Sequence, residues 1–132
     1  MGKTIEPKLV VRAFLDAVES RDASAVAACF VQDAVYQNVP HAAFNGRTEI
    51  EQLFAPILNA SKRVEWEVLS MALEGQRVHL ERIDRFWIQG KEYSVACHAV
   101  ITVDMTSGLI ASFIDYVDLG EWRATLGDVL RK

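Results

Sequence analysis

The spacing of hydrophobic residues along the chain changes near residue 62. Before this point, apolar residues recur every three or four positions, which is the period of an α-helix with one buried face. After it, apolar and polar residues alternate, as is typical of strands that have one face against a core. The pattern therefore predicts an α+β fold in which a strongly curved sheet packs on N-terminal helices.

Four helices are predicted. They cover residues 7–20, residues 22 to about 30, a segment that begins at residue 46 and has apolar positions as far as Leu58, and residues 120 to about 126. A capping box, in which two side chains satisfy backbone N–H groups of the first helical turn, runs from Thr48 to Glu51. Pro56 is expected to kink or end the third helix, because proline lacks the N–H that an interior helical position donates.

Five strands are predicted over residues 33–39, 63–73, 77–88, 92–103 and 109–118. Short turns at residues 74–76, 89–91 and 106–108 join the last four strands, and turns of this length favour antiparallel hairpins. The chain has 132 residues, of which 51% are hydrophobic, and shows no internal repeat or linker. We therefore expect a single domain over residues 1–132.

Composition and charge narrow the class of protein. The formal net charge is −4 and no basic cluster is present, so a nucleic-acid partner is not expected. No apolar run reaches the length of a signal peptide or a transmembrane span, which predicts a soluble cytoplasmic protein without membrane contact. Cys29 and Cys97 form no C-x-x-C pair and are expected to be free thiols.

Several polar side chains fall on strand faces that the alternation assigns to the core. Arg82 and Asp84 share a face with apolar neighbours on the third predicted strand, residues 77–88. Asp115 is the single polar residue on its face of the last strand, and the first strand places Tyr36 and Asn38 on one face. Three strands thus direct polar groups towards the same interior.

Burying these charges requires that they be paired. An unpaired ionised group in an apolar interior costs several kcal/mol. Two aspartates around one arginine solve this if one carboxylate stays ionised and the other is held neutral with a raised pKa. Such a cluster is also an acid and a base in one pocket. A buried salt bridge that fixes strand register explains Arg82 and Asp84 equally well, but adding Asp115, Tyr36 and Asn38 favours catalysis.

Three motifs resemble those of the limonene-1,2-epoxide hydrolase family. They are YQNVP at residues 36–40, ERID at residues 81–84 and DYVD at residues 115–118. The resemblance extends from about Leu9 to the C-terminus, and all five polar residues match in identity and order. It implies a cone-shaped, nuclear-transport-factor-2-like fold with a mixed sheet.

The same resemblance implies direct attack of water on an epoxide, giving a vicinal diol without metal or cofactor. Asp115 would be the general base, and Tyr36 and Asn38 would hold the water with it. Asp84, protonated, would donate to the epoxide oxygen. Arg82 would bridge both aspartates and keep one charged and one neutral. Simultaneous proton removal and donation suits this reaction, because water is a weak nucleophile and an alkoxide a poor leaving group.

An apolar chamber must surround these groups so that it can take a small apolar epoxide. We expect it to be lined by Leu15, Trp66, Phe86, Val95, Val117 and Trp122. The three histidines have no metal-ligand spacing, which argues against a zinc site. Cys97 is interpreted as pocket or core lining rather than as a nucleophile.

The outer face of the sheet is more apolar than a solvated surface. Its apolar members are interpreted as Ile83, Trp87, Val100, Thr102, Ile110, Ile114 and Tyr116. Such a patch is typical of an interface, and a homodimer through the sheet is predicted.

Two other functions remain open. The first is an isomerase or cyclase of the same fold, ketosteroid isomerase-like or polyketide cyclase-like. The isomerases place a carboxylate base near the end of the first strand, where this chain has Gln37 and Asn38. The second is a non-catalytic binder of small apolar ligands. Epoxide hydrolases that use a serine or aspartate nucleophile are excluded by chain length and by the absence of a G-x-S-x-G motif.

Overall fold

The computed structural model describes residues 4–118 and Gly120. The remainder of the predicted last helix, with Glu121 and Trp122, lies outside the described residues. The helices are α1 (Pro7–Glu19), α2 (Ala23–Ala28) and α3 (Gly46–Ala60). The strands are β1 (Phe30–Val39), β2 (Phe44–Asn45), β3 (Arg63–Glu74), β4 (Arg77–Ile88), β5 (Lys91–Asp104) and β6 (Leu109–Val117).

The strands form one curved sheet with the order β2-β1-β6-β5-β4-β3. Strands β1 and β6 run parallel, whereas every other neighbouring pair is antiparallel. The predicted α+β class with a mixed, curved sheet on N-terminal helices is confirmed. The parallel pair matters for the site, because it brings the end of β1 beside the end of β6.

Helix α1 buries one face against the sheet. Its buried residues are Pro7, Val11, Phe14, Leu15 and Val18, the helical spacing that the sequence shows. The ring of Phe14 packs against the rings of Phe30, Phe54, Trp66 and Phe113, with centroid separations of 5.0–6.0 Å. Edge-on aromatic packing of this kind stabilises the core beyond area burial alone, by about 1 kcal/mol per pair.

The capping box expected at the start of α3 is wrong. The helix begins at Gly46 with Asn45 as its N-cap, so Thr48 lies inside the helix and forms no capping box with Glu51. Instead, the backbone N–H of Asn45 donates to Oε1 of Glu49 at 2.8 Å. Of the two effects expected of Pro56, a kink or an end, the end is excluded because the helix continues to Ala60.

The prediction that Ile110 lies on the outer face of the sheet is also wrong. The β5–β6 register shifts between Thr102 and Val103, and this irregularity reverses the side-chain alternation near the start of β6. Ile110 is consequently fully buried in the core rather than on the outer face. Sequence alternation alone carries no signal for such an irregularity.

Within the described part of the chain, no helix is long and apolar enough to cross a membrane. Cys29 and Cys97 are both free thiols, as the sequence predicts.

Candidate active site

The alternation along β4 directs an arginine and an aspartate into the interior. Arg82 is completely buried and Asp84 is 4% exposed, between the buried side chains of Leu80 and Phe86. Asp115 of β6 is 3% exposed on the same side of the sheet. The predicted inward orientation of all three charged residues is confirmed.

Arg82 holds both aspartates through its guanidinium group. Its Nε donates to Oδ1 of Asp84 at 2.7 Å, and its Nη2 donates to Oδ2 of Asp84 at 3.1 Å. Its Nη1 donates to Oδ1 of Asp115 at 3.1 Å, and Nη2 donates to Oδ2 of Asp115 at 2.6 Å. Each carboxylate is bound through both oxygens, the geometry that gives arginine its strongest and most directional pairs.

Aromatic rings enclose the guanidinium. Its Cζ lies 4.5 Å from the ring centroid of Trp66 and 5.5 Å from that of Phe113. Both distances are within the range of cation–π attraction. The rings therefore stabilise the buried cation and shield it from water, and its hydrogen-bonding partners among the described residues are the two aspartates.

The cluster contains two carboxyl groups but one cation, and this excess of acidic groups affects the pKa of Asp84. Burial raises the pKa of Asp84 to about 6, against the lowering effect of Arg82 and with a further raising effect from Asp115. Burial also opposes the charge of Arg82, but the two aspartates outweigh it and raise the pKa of Arg82 well above its usual value. Arg82 thus remains a cation, and Asp84 is the carboxyl group suited to carrying a proton.

Strand β1 supplies two polar groups on the other side of Asp115. The parallel β1–β6 register pairs Asn38 with Asp115 and Tyr36 with Phe113. The Tyr36 ring stacks on Phe113 at a centroid distance of 4.7 Å. Burial, followed by the charge of Asp115, raises the pKa of Tyr36 well above its usual value. Tyr36 therefore keeps its proton and can donate a hydrogen bond.

These groups line a cavity of about 790 Å³, within the size range of small-molecule sites. Its polar or charged lining residues are Tyr36, Asn38, His41, Glu49, Gln52, Asp84 and Asp115. Its other lining residues are Phe44, Leu53, Phe54, Pro56, Ile57, Trp66, Phe86, Cys97 and Val117. Arg82 is not among them, because it lies behind the carboxylates that it pairs with.

Five of the six predicted substrate-contacting residues fall into two groups, and the sixth, Trp122, lies outside the described residues. Trp66, Phe86 and Val117 line the cavity. Leu15 and Val95 are buried but are not among the lining residues, so this part of the prediction needs correction: both side chains pack within the core. The sequence reading missed the wall formed by α3. The apolar periodicity of α3 was detectable, but periodicity does not distinguish a face that packs on a core from one that lines a cavity.

Cys97 belongs to the cluster as well as to the cavity. Its Sγ is 3.4 Å from Oδ2 of Asp84. Burial, followed by the charge of Asp84, raises the pKa of the Cys97 thiol, which makes it a poor nucleophile. Donor atoms of Asp84, Cys97 and Asp115 lie within 4.8 Å of one another. A metal ion there would face the positive charge of Arg82, which already binds both carboxylates, so we do not assign a metal site.

The indole of Trp66 has an unused donor. Of the buried side-chain nitrogen and oxygen atoms in the described residues, Nε1 of Trp66 is the one without a hydrogen-bond partner. The backbone N–H of Trp66 donates to Oε2 of Glu19 at 3.0 Å, which ties β3 to α1 at this point.

Comparison with known proteins identifies the family to which the chain belongs. The profile of the SnoaL-like domain matches residues 11–113. An LEH-like epoxide hydrolase of M. tuberculosis is 25% identical, with a TM-score of 0.78 over 98% of this chain and 96% of that chain.

Two further solved structures share the fold at lower identity. A candidate SnoaL-like polyketide cyclase of Shewanella denitrificans is 11% identical, with a TM-score of 0.80 over 92% of this chain and 97% of that chain. SalBIII, an epoxide hydrolase/cyclase-like enzyme with a role in pyran ring formation in salinomycin, is 18% identical, with a TM-score of 0.74 over 87% of this chain and 92% of that chain. The chain belongs to the SnoaL-like domain family and has the nuclear-transport-factor-2-like fold.

Proposed function

We propose that the protein is an epoxide hydrolase of the limonene-1,2-epoxide hydrolase type, which adds water directly to an epoxide to give a vicinal diol. The observation that carries the proposal is the pair of buried carboxylates, Asp84 and Asp115, shared by Arg82 at the wall of a largely apolar cavity. The 25% identity to the LEH-like epoxide hydrolase supports it.

Asp115 acts as the general base in this proposal. It lies in register with Asn38, and Tyr36 keeps a phenolic proton nearby, so a water held by these three groups would have one acceptor and adjacent donors. The carboxylate takes a proton from the water as the water oxygen attacks an epoxide carbon. Proton transfer by a positioned group of this kind typically accelerates a reaction by about a hundredfold or more.

Asp84 acts as the general acid. As the C–O bond of the epoxide breaks, the ring oxygen takes the proton of Asp84 and becomes a hydroxyl group. Asp115 gains a proton in the same step in which Asp84 loses one, so the net charge of the buried cluster does not change. Arg82 remains bonded to both carboxylates throughout, which avoids creating an unpaired charge away from water.

The same groups could open an epoxide with an internal hydroxyl in place of water, which would make a cyclic ether. An isomerase is less well supported, because the end of β1 presents Asn38 to the cavity rather than a carboxylate. A non-catalytic binder has no need for the acid and base pair. Product structure separates these alternatives.

The test is a panel of cyclic, terpene and steroid epoxides, with products identified by mass spectrometry and NMR. The proposal expects diol formation that depends on Asp84 and Asp115. Rearranged ketones, cyclic ethers without diol, or tight binding of epoxides without turnover would each contradict it.

The pH dependence of kcat/KM should be determined by the protonation of Asp84. A general acid must be protonated, and burial raises the pKa of Asp84 to about 6. We therefore expect kcat/KM to decline as pH rises through about 6, by roughly tenfold per pH unit well above it. Measuring kcat/KM in overlapping buffers checks this, and an activity that increases through neutral pH would contradict the role of Asp84.

The homodimer and the cytoplasmic location are part of the same proposal. Tyr116 on the outer sheet face is 51% exposed, and Ile83, Trp87 and Ile114 on the same face are partly exposed. Exposed apolar side chains on one sheet face favour association through the sheet. Sedimentation velocity at several protein concentrations tests it, and a monomer throughout would contradict it.

A further inference from the structure

The Cys97 side chain lies against the carboxyl group proposed as the acid. Strand pairing places Cys97 of β5 opposite Arg82 of β4, and Sγ of Cys97 is 3.4 Å from Oδ2 of Asp84. Cys97 is 7% exposed and lines the cavity. The thiol is therefore at the boundary between the charged cluster and the space available to a ligand.

The two oxygens of Asp84 are held unequally. Oδ1 accepts the short bond from Nε of Arg82, at 2.7 Å. Oδ2 accepts a longer bond of 3.1 Å from Nη2, which also donates to Asp115 at 2.6 Å. A proton on Oδ2 disturbs the weaker of these bonds. The transferable proton of Asp84 is therefore favoured on Oδ2, the oxygen next to Cys97.

In the described part of the chain, the thiol has two acceptors within reach, whereas it carries one hydrogen. Besides Oδ2 of Asp84, the backbone oxygen of Val95 lies 3.7 Å from Sγ. When Asp84 is ionised, its charge favours donation from the thiol to Oδ2. When Asp84 is protonated, the S–H can turn to Val95, and Sγ can accept weakly from the carboxyl O–H.

We propose that Cys97 is a positioning residue that hydrogen bonds Oδ2 of Asp84 in both of its protonation states. Its kinetic consequence rests on the proposed hydrolysis: donation to Oδ2 strengthens as the proton leaves, so the contact is stronger in the transition state than before it. Its effect on the acidity of Asp84 does not depend on the reaction.

Among the described residues, few other titratable groups surround Asp84. Arg82 shares its strand, and the facing groups on neighbouring elements are Cys97 of β5, Asp115 of β6, Tyr36 of β1 and, in the cavity wall, Glu49 of α3 and His41. Strand β3 presents Trp66 opposite Asp84, and the buried face of α1 is apolar. Replacing Cys97 leaves all these charged groups in place, so a change in the pKa of Asp84 can be attributed to the loss of the thiol.

The experiment measures the pKa of Asp84 by carbon-13 NMR of the aspartate carboxyl groups, with the signal assigned from its absence in Asp84→Asn. Cys97→Ala should raise this pKa by roughly half a unit to one unit, because the carboxylate loses one weak donor. Cys97→Ser, which keeps a donor, should restore it towards the wild-type value. The matched control is Cys29→Ala, whose half-buried thiol instead donates to the backbone oxygen of Ala25 at 3.4 Å.

The kinetics of Cys97→Ala should reflect the same increase in the pKa of Asp84. In Cys97→Ala the alkaline decline of kcat/KM should move to higher pH by the same amount, and kcat should fall roughly threefold to tenfold as Asp84 becomes a weaker acid. A side chain that only fills space would change thermal stability without moving the decline. If Cys97→Ala does not fold, Cys97→Val carries the same expectation, since it keeps the volume but not the donor.

An unchanged pKa of Asp84 in Cys97→Ala, or equal shifts in Cys97→Ala and Cys97→Ser, would overturn the proposal. The titration needs no substrate, so the two proposals can fail separately. A shifted pKa in a protein that forms no diol contradicts only the hydrolase. Diol formation with an unshifted pKa contradicts only the role of Cys97.

Discussion

Replacing Asp115 with Asn should lower kcat for epoxide hydrolysis at least about a hundredfold, the usual scale for removing a positioned proton-transfer group. The fold should survive, because Arg82 and Asp84 would remain as a neutral ion pair. The decrease in kcat should be larger than the removal of the general base alone would cause, because the substitution also affects Asp84. The charge of Asp115 helps to raise the pKa of Asp84, so without it Asp84 becomes more acidic and less often protonated.

Asp84→Asn should cause a loss of similar size, because the epoxide oxygen would no longer receive a proton. Tyr36→Phe should be milder, since it removes one hydrogen bond to the water and leaves the base in place. Asp33→Asn, at an exposed position on the same strand as Tyr36, is the matched control and should retain activity. Substantial turnover in Asp84→Asn or Asp115→Asn would overturn these roles. Equal losses in Tyr36→Phe and Asp115→Asn would mean that Tyr36 does more than position the water.

Replacing Arg82 with Leu should have the largest effect on stability. It leaves two carboxyl groups in a buried site without their shared cation, and breaking a buried ion pair in this way costs about 3–5 kcal/mol. The penalty should grow with rising pH, because more of the carboxyl groups must then be ionised in a site that cannot solvate them. Urea unfolding at acidic and neutral pH measures both the size and the direction of the effect.

Arg85→Leu is the control for this variant. Arg85 lies on the opposite face of β4, where its Nη1 pairs with Glu67 at 2.6 Å on a partly exposed surface. A surface pair contributes at most about 1 kcal/mol, so this change should be small. Adding Asp84→Asn and Asp115→Asn to Arg82→Leu should recover part of the lost stability. Equal losses in Arg82→Leu and Arg85→Leu would contradict a buried, mutually dependent cluster.

The site was predictable from sequence because of the two-residue period of strands. Alternation alone directs Arg82 and Asp84 inward, and it does the same for Asp115 and Tyr36. Since a buried charge is costly, finding three charges on core faces already indicates that they meet. The alternation does not predict the order of the strands in the sheet. The distances from Arg82 to the two aspartates, and the binding of both oxygens of each aspartate, depend on that order.

The errors have local physical causes. Ile110 lies in the core because the β5–β6 register shifts, and the irregularity reverses the side-chain faces at the start of β6 while Asp115 keeps its predicted face. The helical face of α3 that lines the cavity carries ordinary apolar residues such as Leu53 and Ile57. The contact between Cys97 and Asp84 joins neighbouring strands through side chains thirteen residues apart, and depends on the pairing of β4 with β5.

The central claim is that water, rather than Asp115, attacks the epoxide. Both oxygens of Asp115 are bonded to Arg82, at 3.1 and 2.6 Å, and direct attack by the carboxylate would have to weaken these bonds. Tyr36 and Asn38 add hydrogen-bonding groups that suit a bound water beside the base. Attack by Asp115 would form an ester, and the first diol would then carry an oxygen from the protein.

A single turnover with enzyme in excess over epoxide, run in oxygen-18 water, distinguishes the two routes. Mass spectrometry of the diol and of the peptide that contains Asp115 locates the label. Direct attack by water predicts labelled diol on the first turnover and no label in Asp115. Unlabelled diol on the first turnover, with label entering Asp115, would contradict the account even if every variant above behaved as expected.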